Sequence, residues 1–393
     1  MFHSLYIAWQ YIRYNKIKTA TLIACITLIA VLPVALNLLL GESERQLMSR
    51  ADSTPLVVGA KGSALDLMMN TLYFGEEVPE LITMEAAQQV EESDLAAPIP
   101  LYVRFKARDA PIVGTTMDYF DFRQLKVGQG SSLTMLGDCV VGAAVAERLN
   151  LKPGDGLVSS PENLFDIAGI YPLKMNVAGV LARSHTPDDL AVFVDLKTAW
   201  IIQGLMHGHE DVTQTKDQTV ILKRTEGNVT ANAKLFHYTE ITEENMDAFH
   251  FHGDSSNYPI TAVIAVPHDD KSGTILRGRY LSGEAGYQIV KSDEVIDGLL
   301  QNIFRIKNVM DAVIVVVGLA TVLAIILVFA LSLRLRQREI RTIFKLGCRR
   351  MTIARLLGAE IFLIAATSGV VCLVLISVVN AYANDLVRMM IVR

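Results

Sequence analysis

Three stretches of this 393-residue sequence carry no charged side chain: Thr19 to Leu40, Ala312 to Leu333 and Ile361 to Asn384, of 22, 22 and 24 residues. A helix needs about 20 apolar residues to cross roughly 30 Å of hydrocarbon, so each stretch is long enough to span a membrane. A buried core helix seldom stays uncharged that far, and three true spans are expected. Composition agrees: 51% of residues are hydrophobic and 20% charged, with the apolar share concentrated in these blocks.

Charge sets the expected orientation. Between the second and third blocks, Arg334 to Glu360 holds eight Lys or Arg, and before Glu360 only one acid, Glu339. Segments this cationic resist translocation, which places the loop in the cytoplasm. The first 18 residues add Arg13, Lys16 and Lys18, whereas residues 41–308 carry 23 basic and 37 acidic side chains. The chain therefore divides into a cytoplasmic segment 1–18, span 19–40, an extracytoplasmic domain 41–308, span 309–333, loop 334–360, span 361–384 and a short outer tail 385–393.

The first apolar run exceeds a signal peptide's usual h-region of about 7 to 15 residues, and no A-x-A site follows it. It is read as an anchor. Ahead of it Phe2, Leu5, Tyr6, Trp9 and Ile12 recur at helical spacing, which suits an amphipathic helix in the interface. Pro33 and Asn37 interrupt the outer half of the span, where freed backbone groups need other partners. In the loop, Ile340, Ile343 and Phe344 share one side of a short helix, with Arg338, Arg341 and Lys345 turned away.

The outer segment mixes helix and strand signals. Glu42 to Arg50 reads as a polar stalk continuing the first span, followed by a strand at Pro55 to Val58 and a helix at Ala64 to Leu72. Thr83 is placed to cap a helix with Glu85 in its first turn, without the reciprocal capping box. Strands are expected at Pro98 to Phe105, Pro111 to Gly114, Phe165 to Ile170, Asn176 to Leu181, Ala191 to Val194, Val220 to Leu222 and, strongly apolar, Tyr258 to Val266. Val140 to Leu151 reads as a strand turning into a helix, closed by the turn Lys152 to Gly156. A helix is expected from Leu196 to Leu205. Ser292, Asp293 and Glu294 start another with an acidic first turn, running through Leu299, Ile303 and Ile306 into the second span. Cys139 is the only cysteine of this segment, so no disulfide forms within it. At this size a hydrophobic core suffices.

The loop from Gln337 to Arg350, with Leu356 to Glu360 after it, resembles the ERRREIGILRALGASRRQI pattern of MacB/FtsX-type ABC transporter permeases. Leu56 to Met69, Val140 to Leu157 and Val177 to Trp200 also resemble that family's extracytoplasmic module, in the same order. The resemblance implies an α-helical membrane protein with a large α+β extracytoplasmic domain, the MacB-like (type VII) permease architecture. It implies a dimer in the bacterial inner membrane, docked on a separate cytoplasmic ATPase that binds ATP and Mg, and a non-catalytic chain that passes motion to its outer domain. By position Arg338, Glu339, Ile340, Lys345, Leu346, Gly347, Arg349 and Arg350 match the family's coupling region. Their chemistry suits charge-assisted contacts and a close turn at Gly347. The family carries a fourth span, whereas this sequence ends at Arg393 with three, which leaves its carboxyl end expected outside.

No phosphate-binding G-x-x-x-x-G-K-[ST] is present; Gly59 to Ser63 has its lysine ahead of the second glycine. No Ser, His and Asp grouping has triad context, and no nucleic-acid partner is expected. His207 and His209, with His250 and His252, have the two-residue spacing that lets imidazoles on a strand or loop share zinc or copper. Three functions fit the residues. The chain is a permease subunit for export, efflux or lipid or lipoprotein extraction, with a periplasmic adaptor, lipoprotein or hydrolase as further partner; or an FtsX-like signalling subunit that activates an envelope enzyme; or a membrane-anchored metal-binding protein. Uncharged spans favour transmission of motion over passage of a polar substrate through the membrane.

Overall fold

A computed structural model describes the chain apart from residues 1, 161–171, 209–220, 226–227, 232–238, 243–244, 247–248, 252–253, 282–285, 336, 338–341, 343–344, 346–349 and 392–393. Two units divide it, one of Met1–Leu47 with Gly298–Ile391 and one of Met48–Asp297.

The chain opens with α1 (Phe2–Tyr14) and α2 (Lys16–Asp52). Helix α2 includes the first uncharged block and the polar stretch after it without interruption. Pro33 lies inside it, and the Asn37 side-chain amide donates to the Pro33 carbonyl at 3.0 Å. Thr21 likewise donates to the Ile17 carbonyl at 2.9 Å. Such bonds settle polar side chains within their own helix, as an apolar surrounding requires.

The second unit begins with β1 (Leu56–Ala60), α3 (Ala64–Tyr73), β2 (Ile82–Thr83) and α4 (Glu85–Glu92). Ser63 caps α3, its hydroxyl accepting from the Asp66 amide at 3.1 Å. Thr83 does not cap α4 as expected. It belongs to β2, its hydroxyl meets that of Tyr287 at 3.2 Å, and Met84 stands at the cap without a side-chain bond. Pairing with another strand takes Thr83 away from the helix end.

Next come β3 (Ala96–Ala107), β4 (Ala110–Thr115), α5 (Met117–Phe122), β5 (Val127–Gly130), β6 (Asp138–Val141) and α6 (Ala143–Leu149). They are followed by β7 (Gly156–Val158), β8 (Leu173–Leu181), a 3₁₀ turn at Pro187–Leu190, β9 (Val192–Asp195) and α7 (Leu196–Ile202). Then β10 (Met206–Gly208), β11 (Ile221–Thr225), β12 (Asn228–Ala231), β13 (Thr239–Glu240) and β14 (Phe249–Phe251) precede β15 (Pro259–Ile260), β16 (Ala262–Pro267), α8 (Asp270–Leu281) and β17 (Tyr287–Lys291).

The main sheet runs β13-β8-β6-β9-β4-β3-β16-β1-β17, with β5 and β7 also paired to β8. It is mixed: β4 with β9, β6 with β8 and β13 with β8 are parallel. Strand β3 joins its two halves, because Ala96 to Leu101 pair with β16 and Tyr102 to Ala107 with β4. Pro98 and Pro100 are two residues apart, so their missing N–H groups fall on one edge of β3, a tolerated place for proline. Arg108 and Asp109 both take positive φ, 46° and 68°, the backbone sense of the tight hairpin turn that matches strand twist.

The apolar stretch from Tyr258 to Val266 is two strands rather than the expected one. β15 pairs with β2, β16 pairs with β3, and Thr261 sits between them. The Thr261 hydroxyl donates to the Leu101 carbonyl at 3.0 Å and accepts from the Val103 amide at 3.1 Å. Its side chain replaces a rung of the ladder where the chain changes partner. The expected strand at Phe165 to Ile170 lies outside the described residues. Helix α7 ends at Ile202 rather than Leu205, while α5, α8, β5, β7 and β17 had no counterpart in the sequence reading.

Helix α9 (Ser292–Leu335) takes in the second uncharged block, and α10 (Arg350–Ile391) the third, continuing past Asn384. Among the described residues, three helices are thus long and apolar enough to cross a membrane. Within the first unit α1 packs along α10, with Ala8 buried and Tyr6, Trp9 and Tyr14 exposed.

Candidate functional site

Most of the expected coupling loop lies outside the described residues. Arg338, Glu339, Ile340, Leu346, Gly347 and Arg349 fall there; Lys345 is helical and exposed, and Arg350 begins α10. Ile343 and Phe344, expected on the loop's apolar side, also fall outside. Of the histidines, His207 and His250 are directly opposed in the antiparallel pair β10–β14. Their side chains, and all of His209 and His252, are outside the description. Among the described residues no group of three or more His, Cys, Asp or Glu is placed to hold a metal.

The structure brings out a different cluster, wholly within the Met48–Asp297 unit, at the last turn of α2. The Arg50 side chain is 6% exposed and the Asp188 side chain 1%. Asp188 lies in the Pro187–Leu190 turn, which sits between β8 and β9. The guanidinium grips the carboxylate with two parallel bonds, Nη1 to Oδ2 and Nη2 to Oδ1, the latter at 2.9 Å. Arg50 Nη2 also donates to the Tyr119 hydroxyl at 2.9 Å, and that hydroxyl donates to Asp188 Oδ1 at 2.8 Å. Thr186 Oγ1 donates to Asp188 Oδ2 at 2.7 Å. Each carboxylate oxygen therefore accepts two bonds, which fills its capacity.

The third edge of the guanidinium reaches the end of α3. Arg50 Nε donates to the Leu72 carbonyl at 2.9 Å, and Phe74, left-handed at φ 57°, closes the helix beneath the cation at 5.8 Å from its ring centre. A positive charge there suits the negative end of the helix dipole. Phe193 touches Phe74, Tyr119 and Phe120 edge-on or tilted, surrounding the pair with aromatic rings. Arg123 adds a second tie, donating to the hydroxyls of Ser53 and Thr54 and lying 4.7 Å from the Phe122 ring centre.

Burial by itself pushes the Asp188 carboxyl up, but Arg50, Thr186 and Tyr119 outweigh it and hold it at about 2. Burial also acts to lower the Arg50 pKa, yet Tyr119 and Asp188 carry the net shift upward. Burial pushes the Tyr119 hydroxyl up, so it stays a neutral donor. Because the folded carboxyl is depressed below the ordinary 3.8, its contribution is complete above that pH and disappears as pH falls toward about 2. Acid titration of the full chain in detergent is therefore expected to show about 2 kcal/mol of stability lost across that window, and Asp188→Asn to remove this component of the profile. An unchanged profile in the variant would contradict it.

With no free lone pair on the carboxylate and a permanently charged partner, the cluster is a joint rather than a reactive centre. Sequence reasoning did not find it. Arg50 looked like one more charge on a polar stalk, and Asp188, 138 positions away, stood inside a stretch quoted only for its family likeness. Gly142 of that same likeness abuts the joint: a Cβ there would lie 2.4 Å from the Asp188 carbonyl oxygen.

Fold and joint together define a helical membrane protein with a mixed α+β module inserted between its first two apolar helices. The family profile described as MacB-like periplasmic core domain matches residues 20–234, more than half of the sequence, and the chain belongs to that family. It is thus an ABC transporter-type permease subunit with the MacB-like, type VII architecture. Among solved structures, the periplasmic region of MacB from Actinobacillus actinomycetemcomitans is similar at 13% identity and TM-score 0.33, over 64% of this chain and 97% of that one. The extracellular domain of the noncanonical ABC-type transporter YknZ from Gram-positive bacteria is similar at 12% identity and TM-score 0.32, over 60% and 98%. A domain of a putative permease protein from Porphyromonas gingivalis is similar at 10% identity and TM-score 0.28, over 60% and 86%. The search of curated proteins found no match.

Proposed function

We propose that this chain transmits force. A separate cytoplasmic ABC ATPase engages the Arg334 to Glu360 loop, and its ATP-driven closure moves the membrane helices and, with them, an outer α+β domain that acts on an envelope partner or an amphiphilic substrate. The chain works as a dimer in the inner membrane, with its amino terminus and the loop in the cytoplasm. One observation carries this reading: α2 is a single helix from Lys16 to Asp52, and Arg50 in its last turn is locked into the buried joint with Asp188 and Tyr119. A continuous helix with a fixed far end conveys displacement, whereas a flexible linker would absorb it. Uncharged blocks within the three apolar helices support transmission over passage of a polar substrate.

Affinity purification of the full chain from native membranes tests the coupling. An ATPase is expected to co-purify, and Arg338→Ala with Glu339→Ala and Arg349→Ala is expected to reduce its retention at least tenfold, as lost charge pairs at an interface do. A membrane-impermeant maleimide should leave Cys348 unlabelled in intact cells and label it in opened ones. Labelling in intact cells would put the loop on the wrong side and end the proposal.

A further inference from the structure

Lys18 immediately precedes the first uncharged block, and Glu360 immediately precedes the third. In the Met1–Leu47 and Gly298–Ile391 unit these two residues meet, Lys18 Nζ lying 3.7 Å from Glu360 Oε1. The Glu360 side chain is 7% exposed and that of Lys18 24%, so the acid is inside the helix packing while the longer base reaches in from its rim. The Lys18 ammonium also lies 5.5 Å from the centre of the Tyr11 ring, which brings α1 into the same cluster.

A second meeting point fixes the direction of packing. Cys372 Sγ approaches the Thr27 carbonyl at 3.9 Å, with both residues buried. Going from the first pair to the second advances nine residues on α2 and twelve on α10, in the same sense. The apolar parts of α2 and α10 therefore run parallel, with their starts side by side. An acid at the mouth of an apolar stretch is costly unless neutralised, and of the two lysines in the first turn of α2 it is the half-buried Lys18, not the exposed Lys16, that lies beside it.

We propose that Lys18 and Glu360 form a charge clamp that makes α2 and α10 move as a pair. Helix α10 begins at Arg350, within the Arg334 to Glu360 loop, whereas α2 is remote from that loop in sequence. Through the clamp, thrust delivered to the start of α10 reaches α2. That last step rests on the coupling role proposed above; the clamp itself does not.

The test needs no nucleotide or partner. Thr27→Cys is introduced with native Cys372 retained and Cys25→Ser, Cys139→Ala and Cys348→Ser in the background, and oxidant-catalysed disulfide formation is timed in membranes. The parent should cross-link rapidly, while Lys18→Gln and Glu360→Gln each slow the reaction about fivefold or more. The exchange Lys18→Glu with Glu360→Lys should recover most of the rate. Lys16→Gln, which removes an exposed neighbouring charge, should leave it unchanged. The clamp is refuted if Glu360→Gln cross-links at the parent rate, if the exchange is no faster than the single variants, or if Lys16→Gln slows the reaction equally. Loss of ATPase retention in the earlier experiment leaves these rates untouched, so the two proposals fail separately.

Discussion

Arg50→Met is expected to destabilise the Met48–Asp297 module by about 3 to 5 kcal/mol, the usual cost of removing one partner from a buried ion pair. The cost arises from what stays behind. Asp188 keeps its Tyr119 and Thr186 bonds but loses both bonds to the cation, leaving a carboxylate with a nearly inaccessible side chain and no countercharge. The Leu72 carbonyl at the end of α3 also loses its donor. Asp188→Asn should be comparably damaging, because it strands the guanidinium. The joint replacement Arg50→Met with Asp188→Leu is expected to recover a large part of the loss, since apolar groups of similar volume often do as well as a buried pair. Urea unfolding of the full chain in detergent, followed by buried Trp200 in a Trp9→Phe background, measures all three against the parent. A cost near zero for Arg50→Met would show that the joint does not fasten α2.

The second large effect is expected at Gly142, the residue before α6. Its φ of −61° and ψ of 148° suit any residue, so the constraint is space rather than backbone conformation. An added Cβ would sit 2.4 Å from the Asp188 oxygen and 2.5 Å from the Asp189 carbonyl carbon and oxygen. Those are backbone atoms of a turn that other bonds already fix. Asp189 accepts from the amides of Ser184 and His185 at 2.9 Å and 2.7 Å, and Gly142 donates its own amide to the Ala191 carbonyl at 2.9 Å. Gly142→Val must push the turn, and with it Asp188, off Arg50. A loss of about 3 kcal/mol is expected, at the upper end for overpacking. In the Asp188→Asn background the same change should cost clearly less, because the two act on one joint. Gly154 is the control: it takes φ +95° with open space around it, so Gly154→Ala should cost only about 1 kcal/mol of backbone strain. Equal losses at 142 and 154 would remove the packing argument.

Much of the architecture was legible because it is written in short-range pattern. The Ser292, Asp293 and Glu294 start of α9 is a signal that a helix carries at its own end, and it stands where it was read; the helix read at Ala64 to Leu72 is present as Ala64–Tyr73. The strand at Pro98 to Phe105 was read correctly but too short, since β3 extends to Ala96 and Ala107 to serve both halves of the sheet. Thr83 was misread because the same residue type that caps helices also pairs in strands, and which occurs depends on whether β15 is beside it. Tyr258 to Val266 read as one strand because apolar pattern cannot register a change of partner at Thr261. The site was less legible than the fold. Histidine spacing drew attention to 207 and 250, while the joint was built from an arginine, an aspartate and a tyrosine with no motif between them.

Uncharged length and the placement of arginines are properties of contiguous residues, and they alone marked out the three membrane-length helices found among the described residues, the large insert between the first two and the cationic loop between the last two. No local property links position 50 to 188 or position 18 to 360. Those pairs exist because folding brings distant segments together in a low-dielectric interior, where a charge persists only beside its opposite. Tertiary structure therefore decided where α2 is fastened and which helix it accompanies.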